Sequence, residues 1–184
     1  MKKIPTLYRR DWESLKATVL PEVTPGCEWV IDGEGVPYVK LDGLPVLMKN
    51  ERIYRRYVVK KGMDIPARFT LEDVDDRTGE KIGWMPVKRE PIYRRYWSAF
   101  DKMAAWEDGT YEIVGPKIGE SDEGHSTIIA INHDSPELIL DDTPPTSFIE
   151  LKMWLLPRYI EGIIWKHPDG RMAKIKKKDF GLRR

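Results

Sequence analysis

The sequence predicts an α+β fold dominated by antiparallel strands. Three observations predict it: short runs rich in branched and aromatic residues, such as Ile53–Val59 (IYRRYVV); turn residues between such runs, such as Lys49-Asn50; and few stretches with apolar residues at helical spacing. At 184 residues, 41% hydrophobic and 33% charged, the chain is long enough to bury a sizeable core and has a globular composition. Length alone suits one domain or two small ones; with no repeat and no linker rich in Gly, Ser or Pro, the expectation is a single domain over residues 1–184.

Taken in order, Asp11–Leu20 reads as one short helix capped by Asp11, with Trp12, Leu15 and Val19 on one side. After PGCEWVIDGEG the pattern turns to β: Pro37–Leu41 and Pro45–Met48 are extended, Lys49-Asn50 turns the chain, and Ile53–Val59 is a strand. Glu72–Asp76 reads as a solvated acidic loop, since its ligand alternation and its lack of a central glycine do not suit calcium. Tyr93–Trp106 sets Tyr93, Trp97, Phe100 and Ala104 at helical spacing, as core anchors rather than a base-stacking platform. Gly109-Thr110 opens a strand over Tyr111–Val114, Gly119–Gly124 is a flexible loop, and Ser126–Ile131 is a further strand. Thr146 or Ser147 caps a helix that runs through Leu156 and stops at Pro157. Glu161–Lys166 and Arg171–Lys176 make a hairpin around His167-Pro168-Asp169-Gly170.

Composition excludes several functions. No run of about 18 apolar residues is present and Met1–Pro5 lacks the apolar core of a signal peptide, so the expectation is a cytoplasmic protein with no membrane partner. Cys27 is the single cysteine, which rules out an internal disulfide and a multi-cysteine zinc site, and His125, His133 and His167 lack metal-ligand spacing. A net charge of +1 decides nothing about polyanions, which bind local patches.

Chemistry enters at Val39–Gly43, VKLDG, where a lysine precedes an aspartate and a glycine at the end of a strand. Alone it is a turn. It is followed by IYRRY at Ile53–Tyr57, GTYEIVGP at Gly109–Pro116, EGIIW at Glu161–Trp165 and AKIKKKDFG at Ala173–Gly181. In order and spacing these five stretches resemble the motifs of the covalent nucleotidyltransferases, the superfamily of ATP-dependent ligases and RNA capping enzymes. The wording GTYEIVGP, GWMPV and HPDGRMAKIKKKDFG resembles most a small family of RNA ligases from bacteria, phages and some animals. The resemblance runs from PGCEWV to the last residues. It departs at Val39, where close relatives tend to carry glutamate, and at Leu44-Pro45-Val46, where a small polar run is usual.

The resemblance implies an antiparallel-sheet-rich nucleotidyltransferase fold, the ATP-grasp-like adenylation domain of ligases. It implies an ATP-dependent RNA ligase that seals 5′-phosphate and 3′-hydroxyl RNA ends in RNA repair, using ATP and Mg²⁺, with Mn²⁺ as a substitute. Its steps are enzyme adenylylation, AMP transfer to the 5′-phosphate, and sealing by the 3′-hydroxyl. Lys40 is the implied nucleophile, made reactive by repulsion from Lys174 or Lys176 and by partial burial. Asp42 and Gly43 would hold the loop that aims it. Arg56 is the better match for an arginine that clamps phosphate and Arg55 its rival, since adjacent strand residues face opposite ways. Glu112 would accept from the ribose hydroxyls, Glu161 would bind the metal, and Lys174 and Lys176 would offset phosphate charge from one strand face. No adenine-stacking residue is evident: His133 and Phe148 are candidates, with core packing the better role for Phe148.

A shared face for Glu161, Lys174 and Lys176 demands an even hairpin register, with Glu161 opposite Lys176 around a two- or four-residue loop. A three-residue loop would set them on opposite faces. Arg171–Arg184 carries Arg171, Lys174, Lys176, Lys177, Lys178, Arg183 and Arg184 against Asp179, a basic stripe suited to RNA, with Lys177 and Lys178 solvated or RNA-facing. The chain ends within eight residues of Lys176, so no appended C-terminal oligonucleotide-fold domain is expected, which disfavours a capping enzyme or replicative DNA ligase. The alternatives are a non-catalytic RNA-binding relative, or an adenylyltransferase or DNA ligase acting on another end. A binder needs positive charge, but not Lys40, Glu161, Lys174 and Lys176 together.

Overall fold

The computed structural model describes residues 2–13, 18–103, 105–119 and 124–183. In chain order these form β1 (Tyr8–Arg10), β2 (Val19–Val23), α1 (Glu28–Ile31), β3 (Val36–Lys40), β4 (Leu44–Lys49), β5 (Arg52–Val59), β6 (Thr70–Val74) and β7 (Lys81–Pro86). The chain continues through α2 (Arg94–Phe100), β8 (Gly109–Val114), β9 (Ile129–Asn132), α3 (Phe148–Leu155), β10 (Gly162–Lys166) and β11 (Met172–Lys176). The fold is mixed α and β, rich in sheet, and its strand ladders are antiparallel. Among the described residues no helix is long and apolar enough to cross a membrane. The residues group into two compact units. One, the flanking unit, is Ile4–Leu41 with the chain from Ser135 onward; the other, the inserted unit, is Asp42–Asp134 with the N-terminal residues up to Lys3.

In the flanking unit β3 lies at one edge of a three-stranded sheet in the order β11-β10-β3. Alternation along β10 and β11 sends Ile163, Trp165, Ala173 and Ile175 to one face, where they are buried with Leu151 and Leu155 of α3, Trp29 and Val30 of α1, and Phe180. Each such large apolar side chain removed from water stabilises the unit by roughly 1.5–3 kcal/mol. Ser147, in extended conformation, stands at the N-cap of α3, and Pro157 follows its end. The opposite face of the sheet carries the lysines discussed below.

The inserted unit is a six-stranded sheet in the order β6-β7-β5-β4-β8-β9. Val46, Met48, Ile53, Tyr111 and Ile113 share one face and pack beneath Ala99, Trp97 and Phe100 of α2. Asn50 and Glu51, both at positive φ (50° and 59°), make the tight turn that joins β4 to β5.

Several expectations need correction. The helix expected over Asp11–Leu20 is not found among its described residues: Trp12 and Glu13 are bends, Val19 and Leu20 open β2, and Arg10 pairs with Val19, because a buried valine two residues before Pro21 suits a ribbon better than a last helical turn. Residues 14–17, including Leu15, lie outside the described residues, as do Ala104, Arg184 and positions 120–123 of the Gly119–Gly124 loop. Glu72–Val74 belong to β6, and Asp75 is buried, its carboxylate accepting from the backbone N–H groups of Arg77 (3.0 Å) and Thr78 (2.8 Å) at a turn. The helix from Tyr93 ends at Phe100, where Trp106 stacks back on the Phe100 ring (3.9 Å) and donates its indole N–H to the Phe100 carbonyl (3.2 Å). The strand expected over Ser126–Ile131 begins at Ile129.

Candidate functional site

The flanking unit gathers its charged candidates at one end of its sheet. Gly162 pairs with Lys40 on one side and with Lys176 on the other, so the two lysines flank a residue without a side chain. Directly paired residues share a face, and Lys174, two positions from Lys176, lies on it too, beside Ile164 and Tyr38. Glu161, just before β10, joins them: its carboxylate accepts from Lys176 Nζ (2.8 Å) and from Lys40 Nζ. Lys40 Nζ also donates to the Leu41 carbonyl (3.0 Å).

This convergence arises by a route other than the expected even register. Gly162, not Glu161, stands opposite Lys176, and the Lys177 N–H donates to the Glu161 carbonyl (2.9 Å). The cause is the turn, in which His167 and Arg171 close a three-residue loop, Pro168-Asp169-Gly170, with Gly170 at φ 91°. Regular alternation would then send Glu161 to the apolar face. Gly162 is required by close approach: a Cβ there would lie 2.0 Å from the Ile175 carbonyl oxygen. Glu161 itself lies at a bend ahead of β10, outside the alternation, and its carboxylate reaches the lysine face.

Electrostatics at this end are unbalanced. Burial, aided by repulsion from Lys176 and Lys40, pulls the Lys174 ammonium down to about 8. Burial alone would raise the Glu161 carboxyl, but Lys40 and Lys176 outweigh it and hold it below its ordinary value. Asp179, fully buried, accepts from the Lys176 backbone N–H (2.9 Å) and from Arg10, so it fixes the chain after Lys176 without sitting on the lysine amines. Lys177 is buried and donates its amine to the Arg158 carbonyl, which corrects the expectation that it is solvated; Lys178 is exposed. The basic stripe of the tail is thus broken by folding.

The inserted unit presents Glu112 on β8. One carboxylate oxygen accepts from the Gly43 N–H (3.0 Å) and the other meets His133 Nε2 (3.0 Å). Gly43 is required by close approach, since a Cβ would lie 2.1 Å from the Ile113 carbonyl oxygen. Asp42 packs on Gly119, where a Cβ would meet the Asp42 carbonyl at 2.4 Å. Glu112 pairs with Pro45, and continuing the β4–β5 register by one residue sets Arg56 opposite Pro45. Glu112 and Arg56 therefore flank Pro45 on one face, about 10 Å apart across two strand spacings. Arg55 lies on the other face, its guanidinium 4.6 Å from the Tyr57 ring centre and 5.5 Å from that of Tyr93. Arg56 lies 5.5 Å from the Trp84 ring centre, its proton affinity lowered by burial against the opposing fields of Glu72 and Asp73.

Of the stacking candidates, His133 is bound edge-on to Glu112, and Phe148 packs in the flanking unit against Tyr8 (5.0 Å) and Phe180 (5.1 Å). Sequence reasoning missed Gly162, His133 as a partner of Glu112, and the Asp179–Arg10 pair. The signal for Asp179 was present as the single acid within a basic tail. Among the described residues no three His, Cys, Asp or Glu side chains form a metal cage. Glu161 offers a hard carboxylate beside Lys40 and Lys176, which could hold Mg²⁺ or Mn²⁺ only with water and phosphate oxygens as the further ligands. Comparison with family models and with curated proteins finds no match for this chain.

Proposed function

We propose that the chain is a cytoplasmic ATP-dependent RNA ligase of the covalent nucleotidyltransferase type, sealing 5′-phosphate and 3′-hydroxyl ends through a lysyl-AMP. The observation that carries this reading is the meeting of Lys40, Lys176 and Glu161 across one glycine, with Lys174 on the same face. Two ammonium groups on one carboxylate, with a third lysine on the same sheet face, form a site short of negative charge. A triphosphate supplies it.

In the first step Lys40 Nζ, as the free amine, attacks the α-phosphorus of ATP. An N–P bond forms, the bond to the bridging oxygen breaks, and pyrophosphate leaves with that oxygen and its electron pair. Lys174 and Lys176 offset charge on the transferring and departing phosphates. Mg²⁺ at Glu161 would screen the same charge, and Lys40 and Lys176 must then yield the carboxylate to it. AMP next passes from Lys40 to the RNA 5′-phosphate, and attack by the 3′-hydroxyl releases AMP. The resemblance assigns Glu112 to the ribose, Arg56 to phosphate, and Asp42 and Gly43 to the loop after the nucleophile.

The test is incubation with Mg²⁺ and ATP labelled at the α-phosphate, followed by denaturation. The expected result is acid-labile label on the wild type and none on Lys40→Ala. An unlabelled wild type, shown by intact mass to carry no AMP beforehand, would overturn the reading.

A further inference from the structure

Arg55 stands apart from the other partly buried arginines. Arg10 pairs with Asp179 and Arg158 with Asp142, and Arg56 lies in the field of Glu72 and Asp73. Among the described residues no carboxylate within ion-pair reach meets Arg55. Its Nε is shielded from solvent and has no hydrogen-bond partner. Tyr57 and Tyr93 supply ring faces to the guanidinium, and its charge reaches Tyr96. Cation–π contact contributes about 0.5–1 kcal/mol at such sites and does not replace a counter-ion. A partly desolvated cation without an anion is costly to keep unless a ligand brings one.

The surrounding chain is of the same sign. Lys88, Arg89, Arg94 and Arg95 are exposed, against Glu90 within the same stretch. Glu90 is engaged by Lys88 (3.5 Å), and Arg89 by Asp101 (2.9 Å). That leaves Arg94 and Arg95 at the surface of α2 directly after Tyr93, whose ring borders Arg55. The arginines are interleaved with tyrosines, as a surface for a flexible polyanion with aromatic bases requires.

We propose that Arg55, Arg94 and Arg95 form a surface of the inserted unit that grips the phosphate backbone of single-stranded RNA. Arg55 takes one phosphate at the rim of its tyrosine pocket, and Arg94 and Arg95 take its neighbours. The choice of RNA as the polyanion rests on the ligase reading above; the surface itself rests on the unbalanced guanidinium.

The experiment is fluorescence anisotropy with a labelled 20-nucleotide single-stranded RNA, without ATP, at several KCl concentrations between 50 and 200 mM. It compares wild type, Arg55→Gln and the double variant Arg94→Ala/Arg95→Ala, the last altering exposed side chains alone so that a folding defect in Arg55→Gln leaves the test intact. The double variant should bind about tenfold more weakly and lower the slope of log affinity against log salt by about 1.4, two contacts at about 0.7 each. Arg55→Gln should lower it by about 0.7. Wild-type affinity and slope in the double variant, or no RNA binding by wild type at 50 mM KCl, would overturn the proposal. RNA binding that depends on these arginines in a protein that takes no label from ATP would sustain the surface and sink the ligase.

Discussion

The two units use the same sheet geometry to opposite electrostatic ends. In the flanking unit Lys176 and Lys40 flank Gly162, and in the inserted unit Arg56 and Glu112 flank Pro45, each pair facing across one intervening strand. The lysine pair is of like charge and is bridged by the one carboxylate of Glu161. Glu112 already has both oxygens engaged, by Gly43 and His133. One row is a charge imbalance held in place, whereas the other is a set of satisfied polar groups. The lysine row therefore has charge left over for an anion, whereas Glu112 already uses both oxygens to hold the chain around Gly43 and His133.

The largest effect should come from removing the bridge. Glu161→Gln keeps the shape and loses the charge between the lysines, and self-adenylylation should fall by about 10³-fold, some 4 kcal/mol of activation free energy, as read by initial rates of label incorporation. An equal fall in Glu112→Gln would erase the contrast between the rows.

Next come the glycines on which both rows depend. Gly162→Ala and Gly43→Ala drive a methyl into the carbonyls of Ile175 and Ile113 at 2.0 and 2.1 Å, and each should cost about 3 kcal/mol in urea unfolding. Gly162→Ala should also displace the Glu161 carboxylate and abolish labelling.

Lys174→Met should stabilise the protein below pH 8 by about 2 kcal/mol while removing activity. The unfolded chain holds this proton to its ordinary value of 10.5, but the folded chain releases it near 8. The unfolded state therefore binds more protons between those values, and the wild type recovers stability as pH rises through that window. Thermal melts from pH 7 to 10.5 should show the variant's advantage shrinking towards zero, and a constant advantage would mean that packing rather than charge is its source.

The smallest effect belongs to His133→Ala, which takes one partner from Glu112 while Gly43 keeps the other. About 1 kcal/mol of stability should be lost, with labelling rates within a few-fold of wild type.

Strands were legible wherever alternation coincided with β-branched residues, as in β5 and β8, and α3 was legible from its serine start and its proline stop. The short ribbon of β1 and β2 was not, because Val19 and Leu20 satisfy helical spacing as well as strand pairing and only the partner strand decides between them. Lys40, Glu161, Lys174 and Lys176 were legible as a set only through the resemblance of the motifs that carry them. Their route to one another was not: a three-residue turn and a bend at Glu161 offset each other, and neither appears in a two-residue period. The choice between Arg55 and Arg56 also needed the register, which sets Arg56 on the face of Glu112. Lys177 reads as one more basic residue of the tail, and its burial depends on a carbonyl contributed by Arg158.

The division of the chain also carries a consequence for biosynthesis. Lys40 leaves the ribosome at the end of β3, and its pairing partner Gly162 follows 122 positions later. At about 5–20 residues per second that interval is roughly 6–24 s, during which the whole of Asp42–Asp134 emerges and can fold. Throughout it β3 waits as an unpartnered edge, open to pairing with a neighbouring nascent chain. Pro37 removes one of its backbone donors, and Lys40 sets a charge at its end. A proline within the edge and a lysine at its end are features that disfavour such pairing.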